Sequence, residues 1–286
     1  MPATKKAAKK AAAKTTTSRR RSGAQTFRDR ICNLVPSVDT DQDFTIKDAV
    51  AAGALAGPAK LPAGVDLRAD WWKINDQENT GSCVGWATAD GVVRWHMHQA
   101  GKLKAAEMLS PRHVWMASKE TDSIRGIPET FLEEAGTMLK AAMHIAHKFG
   151  VAREAELPFH LATTMYTGDE NTFYAKAAHH RIASYTNLKR DLSDWKTWLA
   201  NNGPILVGLN VDQSWDDAGA NGGKIDVFKP DTVRGGHAVA LVGYRSDGRF
   251  IVRNSWGTGW GDQGFGYVKP SYIRAGFYTE SYGVTL

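Results

Sequence analysis

Cysteine is scarce in this 286-residue chain: Cys32 and Cys83 are the only two. That excludes the disulfide framework that staples small secreted domains, and it leaves both thiols free to react. No apolar run approaches the roughly 18 residues that a membrane-spanning helix needs. Acidic residues are missing from positions 1–26, which carry Lys5, Lys6, Lys9, Lys10, Lys14, Arg19, Arg20 and Arg21. These eight cations exceed the whole-chain net charge of +6, so residues 27–286 are slightly acidic, at −2. The basic character belongs to a tail.

The tail 1–26 also lacks large apolar side chains, so it has nothing to offset the entropy of ordering and is expected to be disordered when free. As an electrostatic arm it suits nucleic acid or another polyanion; as a solvated tail it only aids solubility. No apolar segment of 7–15 residues follows its charges, which makes it a poor signal peptide. Ser18-Arg19-Arg20-Arg21 is followed by Ser22-Gly23-Ala24-Gln25, not by the apolar stretch of a twin-arginine signal. The expectation is a cytoplasmic protein in a reducing setting.

What remains has ordinary bulk properties, 42% hydrophobic and 23% charged, enough for a full core. Residues 27–60 read as a connector or short pro-region-like segment. Within it, Phe27 to Val38 is a short strand or amphipathic piece, and Asp43 to Leu55 a small helix capped by Asp43 or Thr45. Residues 61–286 form the main body. Trp86, Val93 and Met97 place a buried helix between Gly81 and Gln99, with Cys83 in its first turn. A second helix is expected from about Glu129 to Phe149 and a third over Leu192 to Ala200. After Pro204 the pattern turns to strands: 205–211, 238–244, 249–253 and 266–268. Helices first and strands after indicate an α+β fold, with a mainly helical part at about 61–185 and a mainly β part at about 186–286.

The chemistry concentrates in two stretches. A thiol of ordinary pKa is a weak nucleophile at neutral pH unless a helix start or an imidazolium favours its thiolate. Cys83 has the first, and His237, projecting from a strand edge after Gly235-Gly236, offers the second. Asn254, ending the next strand, can hold the second ring nitrogen, and Trp256 can cover that hydrogen bond. Gln77, six residues before Cys83, can aim an amide N–H beside the Cys83 backbone N–H as an oxyanion hole. Elsewhere, His96 and His98 point to different helix faces, and His144 and His147 lack a third ligand, so neither metal nor cofactor is expected. Glu133-Glu134 reads as a solvated helical edge.

The chain resembles the papain-like cysteine peptidases. Gln77 and Gly81-Ser82-Cys83, the run His237-Ala238-Val239-Ala240-Leu241-Val242-Gly243-Tyr244, and Asn254-Ser255-Trp256-Gly257 with Thr258-Gly259-Trp260-Gly261 match its blocks in order. The resemblance extends over about residues 61–286. It implies a two-lobed fold, with a helical left lobe, an antiparallel β-barrel-like right lobe, and Cys83 facing His237 across the cleft. It also implies that Gly136, Gly236 and Trp256 line the substrate site, with the Gly235-Gly236 pair leaving the pocket for the substrate's second residue open to apolar side chains. Two positions depart from the pattern: Val84 and Gly85 precede Trp86 where a Trp commonly follows the nucleophile, and Thr80 replaces a disulfide cysteine. The implied reaction is peptide-bond hydrolysis through a Cys83 acyl-enzyme. The same fold could serve as an aminopeptidase, transpeptidase or amidase, and a protein working mainly through its basic tail is the alternative of another class.

Overall fold

A computed structural model describes residues 27–53, 60–122, 132–161 and 164–286; the basic tail 1–26 and the first residues of the helix expected from Glu129 lie outside these. Helices fill the first half. The chain after Gly81 forms the helix Cys83–Thr88, passes through a π-helical turn at Ala89–Val93 and ends as Arg94–Gln99. Every residue from Cys83 to Val93 is buried, the polar Thr88 and Asp90 included. The run reaches the sheet because Gly91 has no side chain: a Cβ there would lie 2.9 Å from the Ala240 Cβ. Against it pack the helices Pro111–Thr121 and Leu139–Lys148. Pro111 stands in the first turn of the former, capped by Ser110, whose hydroxyl accepts from the His113 N–H at 3.0 Å.

Leu139–Lys148 begins about ten residues later than the sequence pattern suggests. Residues 132–138 are held out of helix by their backbone bonds. The Glu133 carbonyl accepts from the Gly81 N–H at 2.7 Å, and the Ala135 carbonyl accepts from the Trp115 indole at 2.9 Å. Glu133 is therefore no solvated helical edge; its carboxylate is clasped by Arg112 at 3.0 and 3.1 Å. The small helix of the connector is Ile46–Ala51, with Thr45 and Asp48 forming a capping box.

One sheet is built from β1 (Val65–Asp66), an early strand, and from β2 (Ser184–Asn187), β3 (Ile205–Val211), β4 (Lys224–Ile225), β5 (Gly235–Tyr244), β6 (Phe250–Arg253), β7 (Phe265–Val268) and β8 (Phe277–Thr285) of the second half. The order is β2-β8-β3-β5-β6-β7-β4, with β1 also on β5. All pairings are antiparallel except β4 with β7. The strands expected at 205–211, 238–244, 249–253 and 266–268 are β3, β5, β6 and β7, and the helix Leu192–Asn201 covers the third expected helix. The barrel-like expectation needs correcting, because the sheet is open. Its terminal strands β2 and β4 do not pair with each other, and β4 is a two-residue strand running parallel to its neighbour.

Strand β5 divides two cores. Ala238, Ala240 and Val242 pack with Val84, Val92 and Leu206, while Val239 and Leu241 pack with Trp195, Trp198 and Trp215. One buried ionic knot ties the central helix to the sheet. The Asp90 carboxylate accepts from Arg94 at 2.7 Å and from Arg253 of β6 at 2.5 Å. Losing one member of such a knot strands the others uncompensated, which typically costs about 3–5 kcal/mol. Asp90→Ala should therefore lower the urea-unfolding free energy by about that amount.

Acid should also destabilise the fold. Burial pushes His96 and His113 from about 6.5 down to about 4, so the unfolded chain binds protons in that window that the native one does not. The stability these groups contribute is full above about pH 6.5 and is lost as pH falls toward 4. The melting temperature should drop across that window, with a shallower slope in His96→Phe.

Candidate active site

Cys83 is the first residue of its helix, entered from Ser82. Thr80, standing where the resemblance expects a cysteine, closes the preceding turn: its hydroxyl donates to the Gln77 carbonyl at 2.7 Å and meets the Ser82 hydroxyl at 2.6 Å. The Cys83 sulfur takes N–H contacts from Ala238 of β5, from Val84 and from its own backbone. Trp86, displaced two positions from the expected place, packs in a separate cluster with Trp115, Met116 and Phe159.

Strand β5 sets His237 one residue before Ala238. Its Nε2–H donates to the Asn254 side-chain oxygen at 2.8 Å, and that oxygen also accepts from the Ser255 N–H at 2.8 Å. The neutral ring is thereby fixed with its lone pair on Nδ1, which has no hydrogen-bond partner among the described residues. Trp256 lies over the pair, its ring 4.9 Å from the imidazole at 34°, and Trp215 closes the edge at 5.8 Å. Gln77 is buried and fully oriented. Its oxygen accepts from the Ser255 hydroxyl at 2.8 Å, and its amide nitrogen donates to the Thr80 carbonyl at 3.1 Å. One amide N–H remains for a ligand. His237, Asn254 and Gln77 are thus linked through Ser255, and Cys83 lies against Ala238, the residue after His237.

Residues 27–38, part of the segment read from the sequence as a connector or short pro-region, lie in this cleft. Phe27 stacks on Trp256 with ring centroids 6.3 Å apart. Arg30 forms a two-pronged ion pair with Asp76, beside Gln77, its second nitrogen at 2.8 Å. The Cys32 carbonyl rests against Gly235, whose φ of +145° few side chains tolerate. Asn33 donates its amide to the Glu134 carbonyl, with its own carbonyl against Gly136. The Leu34 N–H donates to the Gly236 carbonyl at 2.9 Å, and its buried side chain sits against Gly208, in the cluster that holds Cys83 and Tyr278. Val35 pairs with Met138 in parallel, and the Ser37 N–H donates to Glu280 at 3.0 Å. So the three predicted substrate-binding residues, Gly136, Gly236 and Trp256, each contact this segment. The space beside Gly236 is not open as expected: the Tyr278 ring stands there, and a Cβ on Gly236 would fall 2.8 Å from it.

This cover sets the electrostatics. Cys83 is fully buried, and desolvation pushes its thiol up to about 11. Burial likewise pushes His237 down to about 4, against the stabilising bond to Asn254. At neutral pH the pair is therefore thiol and neutral imidazole, with a thiolate fraction on the order of 10⁻⁴. Iodoacetamide should label Cys83 slowly in the intact protein. Leu34→Glu, which places a carboxylate in an apolar seat, should speed labelling at least about tenfold by exposing the sulfur; equal rates by mass spectrometry would rule out the segment as the cover.

A family profile described as "Papain family cysteine protease" matches residues 61–283. Among curated relatives, ananain of Ananas comosus is 31% identical over 72% of this chain, and a cysteine protease of Blomia tropicalis is 26% identical over 76%. This chain spans 55% and 63% of their respective lengths. Among solved structures, xylellain, a cysteine protease from Xylella fastidiosa, aligns with a TM-score of 0.72 at 23% identity, covering 94% of this chain and 99% of that one. Procathepsin L 3 of Tenebrio molitor larval midgut aligns at 0.64 and 19%, covering 92% and 79%. These two likenesses establish the fold.

Proposed function

The chain belongs to the papain family of cysteine proteases, and from that we propose that it hydrolyses peptide bonds through an acyl-enzyme on Cys83. The observation that carries the reading is the His237–Asn254 hydrogen bond beneath Trp256, one residue from the Ala238 N–H at the Cys83 sulfur. With the cover lifted, water reaches the pair, the desolvation that holds it neutral is relieved, and His237 Nδ1 takes the thiol proton. The thiolate attacks the substrate carbonyl. The Cys83 backbone N–H and the free amide N–H of Gln77 stabilise the oxyanion. His237 then protonates the leaving amine and activates the water that releases the acyl group. Asn254 keeps the ring turned so that Nδ1 faces this chemistry throughout.

The cleft supports an endopeptidase. Residues 30–37 cross it from Asp76 to Glu280 and continue beyond it on either side, so a bound chain need not end there. The apolar seat now filled by Leu34 supports a preference for a leucine-like substrate side chain. In this reading the described state is latent, and turnover requires residues 27–38 to leave. The free thiols Cys32 and Cys83 favour a reducing, cytoplasmic setting. The eight cations of residues 1–26 favour an accessory contact with a polyanion, separate from hydrolysis.

Cys83→Ala should remove peptide hydrolysis by at least about 10³-fold, since the remaining groups supply no nucleophile. Peptides blocked at both ends should still be cleaved, as followed by mass spectrometry of the products. Cleavage confined to free amino termini would replace the endopeptidase reading with an aminopeptidase one.

A further inference from the structure

Both cysteines of the chain border the cleft. Cys32 rides on the covering segment, and its carbonyl and Cβ lie against Gly235, two residues before His237. Two positions on, Leu34 is packed in one cluster with Cys83 and Ala238. The Cys32 thiol is half-buried, packed against the cluster of Trp215 and Trp256 that roofs His237. Its sulfur makes only a weak contact with the Arg30 carbonyl at 3.6 Å, and burial pushes its thiol up to about 12, with a smaller contribution from charge on the Cys83 sulfur. The segment around it has one isolated bridge, at Val35, and no regular strand pairing. The segment must shift locally to meet the narrow Cα spacing a disulfide demands.

We propose that Cys32 and Cys83 form a reversible disulfide that locks the covering segment over the nucleophile under peroxide stress. This rests on the peptidase reading only in naming Cys83 as the nucleophile. With the segment lifted, the Cys83 thiolate attacks one oxygen of hydrogen peroxide. The O–O bond breaks, Cys83 becomes a sulfenic acid, and the hydroxide released takes up a proton as water. When the segment returns, the Cys32 sulfur attacks the sulfenic sulfur. The S–S bond forms, the S–O bond breaks, and the hydroxyl leaves with the Cys32 proton as a second water. The two thiols lose two electrons and two protons, and the peroxide is reduced to two waters. A dithiol reductant reverses the lock. Cys32 thereby protects the nucleophile from over-oxidation to sulfinic acid, which thiols do not reverse.

The test uses the full chain, reduced and then exposed to hydrogen peroxide at low protein concentration. Free thiols are blocked, and the protein is digested without reductant for mass spectrometry. The expected result is a peptide pair linked Cys32 to Cys83 within a chain that runs as a monomer on a non-reducing gel. The hydrolysis that the reduced chain performs when its segment opens should fall to background on oxidation and return to most of its starting rate with dithiothreitol. In Cys32→Ser, Cys83 should progress to sulfinic acid and dithiothreitol should restore little. The inference is overturned if oxidised wild type yields no linked pair, if the link joins two chains, or if Cys32→Ser recovers as fully as wild type. Peptide mapping does not depend on turnover. A linked protein that hydrolyses nothing when reduced and uncovered would overturn the peptidase reading and keep the lock, and an active protein without the link would do the reverse.

Discussion

The cleft exists because a carboxylate is buried between two guanidinium groups. Asp90 lies in the central helical run that begins at Cys83, and Arg253 is the residue immediately before Asn254. Their 2.5 Å contact ties the helix carrying the nucleophile to the strand carrying the residue that orients His237. Further bonds brace the knot, while the Nε atoms of Arg94 and Arg253 have no partner among the described residues. Asn75 donates to the same carboxylate at 3.2 Å, Arg253 also donates to the Lys73 carbonyl at 2.7 Å, and the Trp72 indole donates to the Asp90 carbonyl at 2.6 Å. A buried ion pair adds little net stability over well-packed apolar groups, but its directional bonds fix one register. Here that register relates two loop-to-element junctions whose side chains must meet to within hydrogen-bond distance.

The covering segment acts on the same site by excluding water. A bare cleft would solvate the Cys83–His237 pair and favour its ionised form; with Leu34 and Cys32 seated, both groups are desolvated and neutral. Occlusion and electrostatic silencing are thus one physical event. Its anchors are spread along the cleft, from the Phe27–Trp256 stack through the Arg30–Asp76 pair to the Ser37–Glu280 hydrogen bond. No single surface contact carries it, which suits a segment that must both hold and release.

Much of the fold was legible locally. β3 and the helix Leu192–Asn201 match their sequence patterns closely because their apolar residues repeat at strand or helix spacing and their ends carry Gly, Pro or capping signals. β8 and the helix Pro111–Thr121 went unread. In β8 the buried Tyr282 and Val284 are mixed with Glu280 and Ser281, whose polarity is satisfied in part by partners far along the chain, such as Ser37 and Trp195. Pro111–Thr121 buries Arg112, His113 and Lys119, so its apolar stripe is masked by charges that long-range partners neutralise. The late start of Leu139–Lys148 has the same cause, since carbonyls from Glu133 to Ala135 bond to Gly81 and Trp115 rather than to their own turn.

The sequence by itself determined the chemical inventory: a thiol at a helix start, an imidazole on a strand, two amides at fixed spacings and a separate basic tail. Those follow from residue type and short-range periodicity, which act within a few positions of each other. Only the tertiary structure decided that residues 27–38 fill the cleft, that the sheet stays open, that Tyr278 stands beside Gly236, and that Cys32 comes to lie beside the nucleophile's histidine. Each of these depends on packing between segments far apart in the chain, where burial and directional hydrogen bonds, not local propensity, select the arrangement. The thiol and imidazole were readable from the start; their neutral, covered state was not, because desolvation is a property of what packs on top of them.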